Sequence, residues 1–262
     1  MAADPRRDHP RRAPPAPEPA DAATRPAFYA ARAGGWRDWW TLLHPPYTAW
    51  HLSYVVIGAC LAPVVLVSRL VATLLAFFLA VGVAAHALDE LHGRPLRTRI
   101  PSAALVAATL VGLAGALVLG AVGVARVGWV LVPFLVVGPL LVVSYNAELF
   151  GGVVHSDLGF ALAWGGFPVL TAYVAEAGTL RLAGVLGAIG AVAFSAAQRS
   201  LSTPARALRR RVRAVEGALT MDDGTKRAFG TRALLAPLER SLRAMSWGVV
   251  FLATALAVAR LA

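Results

Sequence analysis

One short stretch, His86–Ser102 (HALDELHGRPLRTRIPS), gathers two carboxylates, two histidines and three arginines between two long apolar runs. Offsets of three and four residues put His86, Asp89 and Glu90 on one helical face. Carboxylate oxygens of this kind suit Mg²⁺, which keeps several waters and bridges to phosphates. Arg94, Arg97 and Arg99 follow and can take phosphate oxygens. The chemistry to look for is therefore metal-assisted handling of a phosphorylated ligand. The alternative is a helix end followed by an arginine-rich loop that only sets membrane orientation.

A second stretch carries Tyr145, Asn146, Glu148, His155 and Asp157 and no Lys or Arg. Glu148 and Asp157 offer a carboxylate pair to face the first. The plainer reading has Asp157 as the N-cap of the next helix and Glu148 solvated.

These residues sit between apolar segments. Hydrophobic residues make up 58% of the 262, against 15% charged. A soluble domain could not bury that much apolar surface. The formal net charge of +11 would suit nucleic acid in a soluble protein. Here it reads as topology and contact with anionic headgroups, and no nucleic-acid partner is expected. The single Cys60 lies in an apolar run and packs as a small hydrophobe.

Seven runs approach the ~20 apolar residues that a membrane helix needs: roughly 50–67, 70–88, 102–124, 128–143, 158–174, 180–197 and 245–261. The last reads as the end of one longer helix starting near Thr231. The expected fold is all-α, a polytopic transmembrane bundle of about seven spans. With the N-terminus in the cytoplasm, 21 of the 25 basic residues fall on the cytoplasmic side. Only Arg69, Arg126, Arg181 and Arg260 lie opposite, so the positive-inside rule sets the orientation. An integral plasma-membrane protein, as in a bacterial inner membrane, is expected. Residues 1–30 are rich in Pro, Ala and Arg and read as a disordered cytoplasmic tail. The membrane domain then occupies 31–262. It starts with an interfacial helix near 34–43, where Trp36, Trp39 and Trp40 suit headgroup level.

Ser202-Thr203-Pro204 reads as a helix start with Pro at the first position. Leu208, Val212, Val215 and Leu219 recur at helical spacing, so 203–220 is expected to be an amphipathic helix on anionic lipid. A sharper reading has its arginines hold a substrate diphosphate. Asp222-Asp223-Gly224 reads as a turn. Gly184, Gly187 and Gly190, and Gly112 and Gly115, read as helix-packing positions. The histidines are too few for a histidine-cluster oxygenase. No paired broken helices suggest a transporter.

Taken in order, three stretches resemble the UbiA-type intramembrane prenyltransferase superfamily. Residues 39–62 (WWTLLHPPYTAWHLSYVVIGACLA) look like its aromatic, Pro-containing lead and first helix. HALDELHGRPLRTRIPS stands where the family keeps its first Asp-rich motif, followed by Arg-Pro and Ile-Pro-Ser. Residues 144–173 (SYNAELFGGVVHSDLGFALAWGGFPVLTAY) are similar to its Tyr-led loop and next helix. The chain departs from the pattern in two places. Aligned on Asp89, the first motif has Ala85, His86 and Gly93 where the family has Asn, Asp and Asp. The segment expected to carry the second motif, AQRSLSTPARALRRR, contains no acid.

The resemblance implies transfer of a prenyl group from a prenyl diphosphate to an aromatic or other lipid-soluble acceptor. Mg²⁺ would sit on Asp89, Glu90 and Glu148. Asp89, Glu90 and Tyr145 would be catalytic. His86, Arg94, Arg97, Asn146, Trp164 and Arg199 would bind substrate. The rings of Tyr145 and Trp164 would shield the allylic cation. The alternative is a non-catalytic UbiA-like membrane protein that binds an isoprenoid, a lipid or a partner protein.

Overall fold

The computed structural model describes residues 25–262. Eight helices and one β-hairpin follow in order: α1 (Trp36–Leu42), α2 (Pro45–Cys60), α3 (Val67–Leu91), α4 (Ser102–Val127), α5 (Trp129–Asn146), α6 (Asp157–Ala177), α7 (Leu182–Arg210), β1 (Glu216–Thr220), β2 (Lys226–Gly230) and α8 (Thr231–Leu261). Six of these, α3 to α8, are long and apolar enough to cross a membrane.

Of the two remaining helices, α2 is the bundle's central post. Its 16 residues reach about 24 Å, short of the ~30 Å hydrocarbon core. The first expected span, 50–67, is thus shifted and shortened. His44 takes a left-handed φ of 47° and Pro45 and Pro46 occupy the first turn, where a missing N–H costs nothing. The helix stops before Pro63, and Arg260 of α8 binds the freed carbonyls of Ala62 and Pro63 at 2.7 and 2.8 Å. Trp50, Tyr54 and Val55 of α2 are fully buried, against α6 and α8. Gly58 makes the α6 contact possible: a Cβ there would stand 2.3 Å from the Val169 carbonyl oxygen.

Two of the helices that carry expected site residues, α3 and α6, contain a widened π-helical stretch. In α3 it covers Phe78–Ala85, and in α6 Leu162–Gly166. Such stretches re-aim the residues that follow. In α3 that resets the face on which His86 and Asp89 emerge. Gly112 of α4 lies directly against this stretch, where a Cβ would come 2.7 Å from the Leu79 oxygen. The packing role expected for glycines holds at Gly112, Gly115, Gly184 and Gly187, whereas Gly190 faces open space.

Two expectations need correction. The segment 203–220 is not one amphipathic helix. Helix α7 runs unbroken through Pro204 to Arg210, and 216–220 is a strand paired antiparallel with 226–230. Tertiary packing of Ser202 and Ala205, both buried, holds the helix across the proline, against local propensity. The turn residues then win beyond Arg210. Gly224 has φ 77°, and the Asp223 carboxylate accepts the backbone N–H and hydroxyl of Thr225 at 2.9 and 2.6 Å. Asp222-Asp223-Gly224 is a turn, as its composition suggests.

The second correction concerns the tail. Residues 1–24 lie outside the described residues. Residues 25–30 pack against the bundle, with Ala27 and Ala30 buried. Helix α1 falls within the expected 34–43 and exposes Trp36, Trp39 and Trp40. Its Asp38 is buried and accepts Gly34 N–H at 2.9 Å and Arg99 N–H at 3.0 Å. That pins α1 to the α3–α4 loop.

Candidate anion-binding site

The end of α3 does not present its two carboxylates alike. Glu90 is completely buried. Its Oε2 accepts Leu96 N–H at 2.9 Å, and its Oε1 accepts the Thr98 N–H and hydroxyl at 2.9 and 2.8 Å. Both oxygens are thus committed to folding the α3–α4 loop. Leu96 and Ile100 are buried beside it. Arg94 completes the same turn. Its guanidinium binds the Ile100 carbonyl at 2.6 Å and the Ser102 hydroxyl at 2.7 Å, from a backbone φ of 53°. Glu90 and Arg94, expected at the ligand, are internal braces. Arg97 is exposed, at φ 56°.

Asp89 is different. It is half-buried and has no hydrogen bond or ion pair among the described residues. Arg210, Arg206, Glu90 and His155 surround it electrostatically. Among the described residues Arg206 has one bond, a long 3.3 Å contact to its neighbour Thr203, and Arg210 has one bond, 3.3 Å to the Pro26 carbonyl. Neither has a carboxylate within ion-pair distance among the described residues. Arg199, Arg206 and Arg210 are spaced seven and four apart on α7 and so share a face. Arg199 donates to Asp157 Oδ1 at 2.7 Å and lies over the Phe160 ring at 5.2 Å. Arg209, one step round the helix, is bound to Glu239 of α8.

Tyr145 lies within electrostatic reach of this basic cluster. It is buried, and Arg199, Arg206, Asp89 and Asp157 act on it electrostatically. His155 stacks on its ring at 4.4 Å and Trp164 meets it edge-on at 5.5 Å. Trp164 is also part of the wall of an apolar cavity of about 590 Å³ between α3, α4, α5 and α6. That volume is in the range of ligand sites. Phe77, Phe134 and Phe167 line it as well. Basic cluster and apolar cavity therefore share one aromatic wall, Tyr145 on Trp164.

Histidines form the remaining side. His86 bonds the Gly82 carbonyl through Nδ1 at 3.1 Å and stacks on His44 at 4.2 Å with the rings 11° apart. His44 Nδ1 is 3.0 Å from the Tyr29 hydroxyl, and its Nε2 is enclosed without a hydrogen-bond partner among the described residues. Burial, reinforced by His86 and by Arg210 and Arg206, holds His44 well below the usual imidazole range. His51 bonds the Trp164 carbonyl at 2.9 Å.

The expected Mg²⁺ set does not fit. Glu90 has spent its oxygens on the loop, and Glu148 is exposed at φ 49°. Asp89 alone remains, among arginines that would repel a cation. Among the described residues no group of three or more His, Cys, Asp and Glu side chains is arranged to hold a metal. Asn146 is buried and donates to Val142 O at 2.7 Å, within its own helix. Ser156, rather than Asp157, caps α6, accepting Gly159 N–H at 3.1 Å.

Of the expected residues, Asp89, Tyr145, His86, Trp164 and Arg199 come together. Tyr29, His44 and His51 join them without having been singled out, and Arg206 and Arg210 come from the segment whose arginines were expected on anionic lipid or, in the sharper reading, on a diphosphate. The 199/206/210 spacing was the available signal for the arginines. No family model, curated protein or solved structure matches the chain.

Proposed function

We propose that this is a UbiA-like membrane protein that binds an anionic isoprenoid or similar amphiphile, using arginines rather than a metal. The apolar cavity takes the chain. Arg206 and Arg210 take a phosphate or diphosphate head, with Arg199 at the rim. The observation that carries the reading is the pair Arg206 and Arg210: half-buried guanidiniums with no carboxylate partner among the described residues. Such groups are costly to keep unless an anion completes them. The 21-to-4 division of basic residues supports putting this end at the cytoplasmic face of the plasma membrane.

The test is calorimetric titration of the purified protein with farnesyl diphosphate and with farnesol. The diphosphate should bind and the alcohol should bind far more weakly. Arg206→Ala and Arg210→Ala should each weaken the diphosphate by about 10- to 100-fold, since a hydrogen bond to a charged group contributes about 1.5–3 kcal/mol. Equal binding of diphosphate and alcohol would refute the head-group role of the arginines.

A second reading, prenyl transfer to a lipid-soluble acceptor, is favoured by one observation. Among the described residues Asp89 keeps a carboxylate without a hydrogen bond, within electrostatic reach of Tyr145, where it can accept a proton from an acceptor hydroxyl. Incubation with farnesyl diphosphate and a phenolic acceptor, followed by mass spectrometry, tests it. A prenylated phenol lost in Asp89→Asn is the expected product of that reading, and its absence from wild type rules the reading out.

A further inference from the structure

We propose that residues 25–30 form a strap that closes the anion site and must be lifted for the ligand to enter. This rests on the anion-binding reading and adds its regulation. The strap has neither helix nor strand. It is held by aromatic contacts and by two guanidiniums, one of which, Arg210, would also hold the ligand.

Arg210 Nε donates to the Pro26 carbonyl at 3.3 Å, and Arg209 donates to the Arg25 carbonyl at 3.3 Å. Both are longer than the usual 2.9–3.0 Å, and both acceptors are neutral. Arg209 is already paired with Glu239, but a phosphate oxygen would give the Arg210 guanidinium a charge-assisted bond about twice as strong. The Pro26 carbonyl is thus a weak placeholder in a position where an anion binds better.

Aromatic residues latch the strap. The Tyr29 hydroxyl bonds His44, and its ring meets Tyr47 edge-on at 5.5 Å. Arg210, Arg206 and Asp89 all act on Tyr29 electrostatically, and its segment touches the cluster through Pro26 and Arg210. Phe28 packs edge-on to Tyr47 at 6.2 Å and lies under the Arg243 guanidinium at 5.0 Å. Ligand and strap compete for Arg210 and for the space that Tyr29 fills. Apparent affinity is then the intrinsic affinity multiplied by the fraction of molecules with the strap open.

Two measurements on the full chain test this, both in a Cys60→Ala background that removes the one native thiol. The first is calorimetry with farnesyl diphosphate on that Cys60→Ala parent and on its Phe28→Ala/Tyr29→Ala variant. A strap closed about nine-tenths of the time predicts about tenfold tighter binding in the double variant. The second is the thiol-labelling rate of Ala27→Cys, whose side chain is buried under the closed strap. Saturating farnesyl diphosphate should speed labelling. Should the double variant fail to fold, the labelling result decides alone. Unchanged or weaker binding in a folded double variant overturns the strap and leaves the anion site standing. Labelling that is unmoved or slowed by bound ligand does the same. If neither form binds the diphosphate, the anion site fails and the strap fails with it.

Discussion

Glu90 and Thr98 are joined twice by one oxygen: Glu90 Oε1 accepts both the backbone N–H of Thr98, at 2.9 Å, and its hydroxyl, at 2.8 Å. This bidentate hold, with the Leu96 bond on the other oxygen, makes Glu90 the peg of the α3–α4 loop. Its neighbour Asp89 holds nothing and faces the arginines. Adjacent carboxylates thus divide into one for structure and one for the site.

Stability should expose that division. Glu90→Ala strands two buried N–H groups and a hydroxyl. At about 1–3 kcal/mol for each unsatisfied group, a loss of roughly 3 kcal/mol or more is expected. Asp89→Ala removes no hydrogen bond and should leave Tm within a degree or two of wild type. Thermal melting of both variants in one detergent is the check. A larger loss for Asp89→Ala than for Glu90→Ala would reverse the assignment.

His44 predicts a pH dependence. Its folded-state pKa is depressed by burial, so the unfolded chain binds a proton more readily than the folded one. The stability that His44 contributes is full above its unfolded value of about 6.5. It is lost as pH falls below that towards the lower folded value. Denaturation at pH 8 and pH 5 should show a loss in wild type that shrinks in His44→Gln. An equal loss in the variant would assign the effect to other groups.

Orientation can be read at two positions. Arg94→Cys and Arg126→Cys, each in the Cys60→Ala background, should label from opposite sides of the membrane. Residue 94 should label only from the cytoplasmic side. Labelling of residue 94 from outside would invert the topology and place the basic cluster at the wrong face.

The helical, membrane-spanning character was legible because hydropathy alone carries it. Six expected spans coincide with helices, and the start near Thr231 was visible in the sequence. The span missed in position was α2, whose limits come from Pro45 and Pro46 at one end and from Arg260, 197 residues away from Pro63, at the other. The hairpin was illegible because Leu208, Val212, Val215 and Leu219 keep a helical period up to a turn whose chemistry decides otherwise. At the site, residue type was legible and commitment was not. Asp89 and Glu90 are equivalent as letters. Only the loop's return, with Leu96 and Thr98 over Glu90, distinguishes them. Tyr29 gave no signal at all, since it lies in a Pro- and Ala-rich stretch and gains its place through His44 and Tyr47.

The arginine-held head group is the central claim, and calorimetry with farnesyl diphosphate in EDTA and again in Mg²⁺ tests it most directly. Arg206 and Arg210 predict clear binding in EDTA with an affinity that Mg²⁺ barely changes, and that falls as salt screens the pairing. Binding that appears only with Mg²⁺ would contradict the account and return the site to a metal-assisted one.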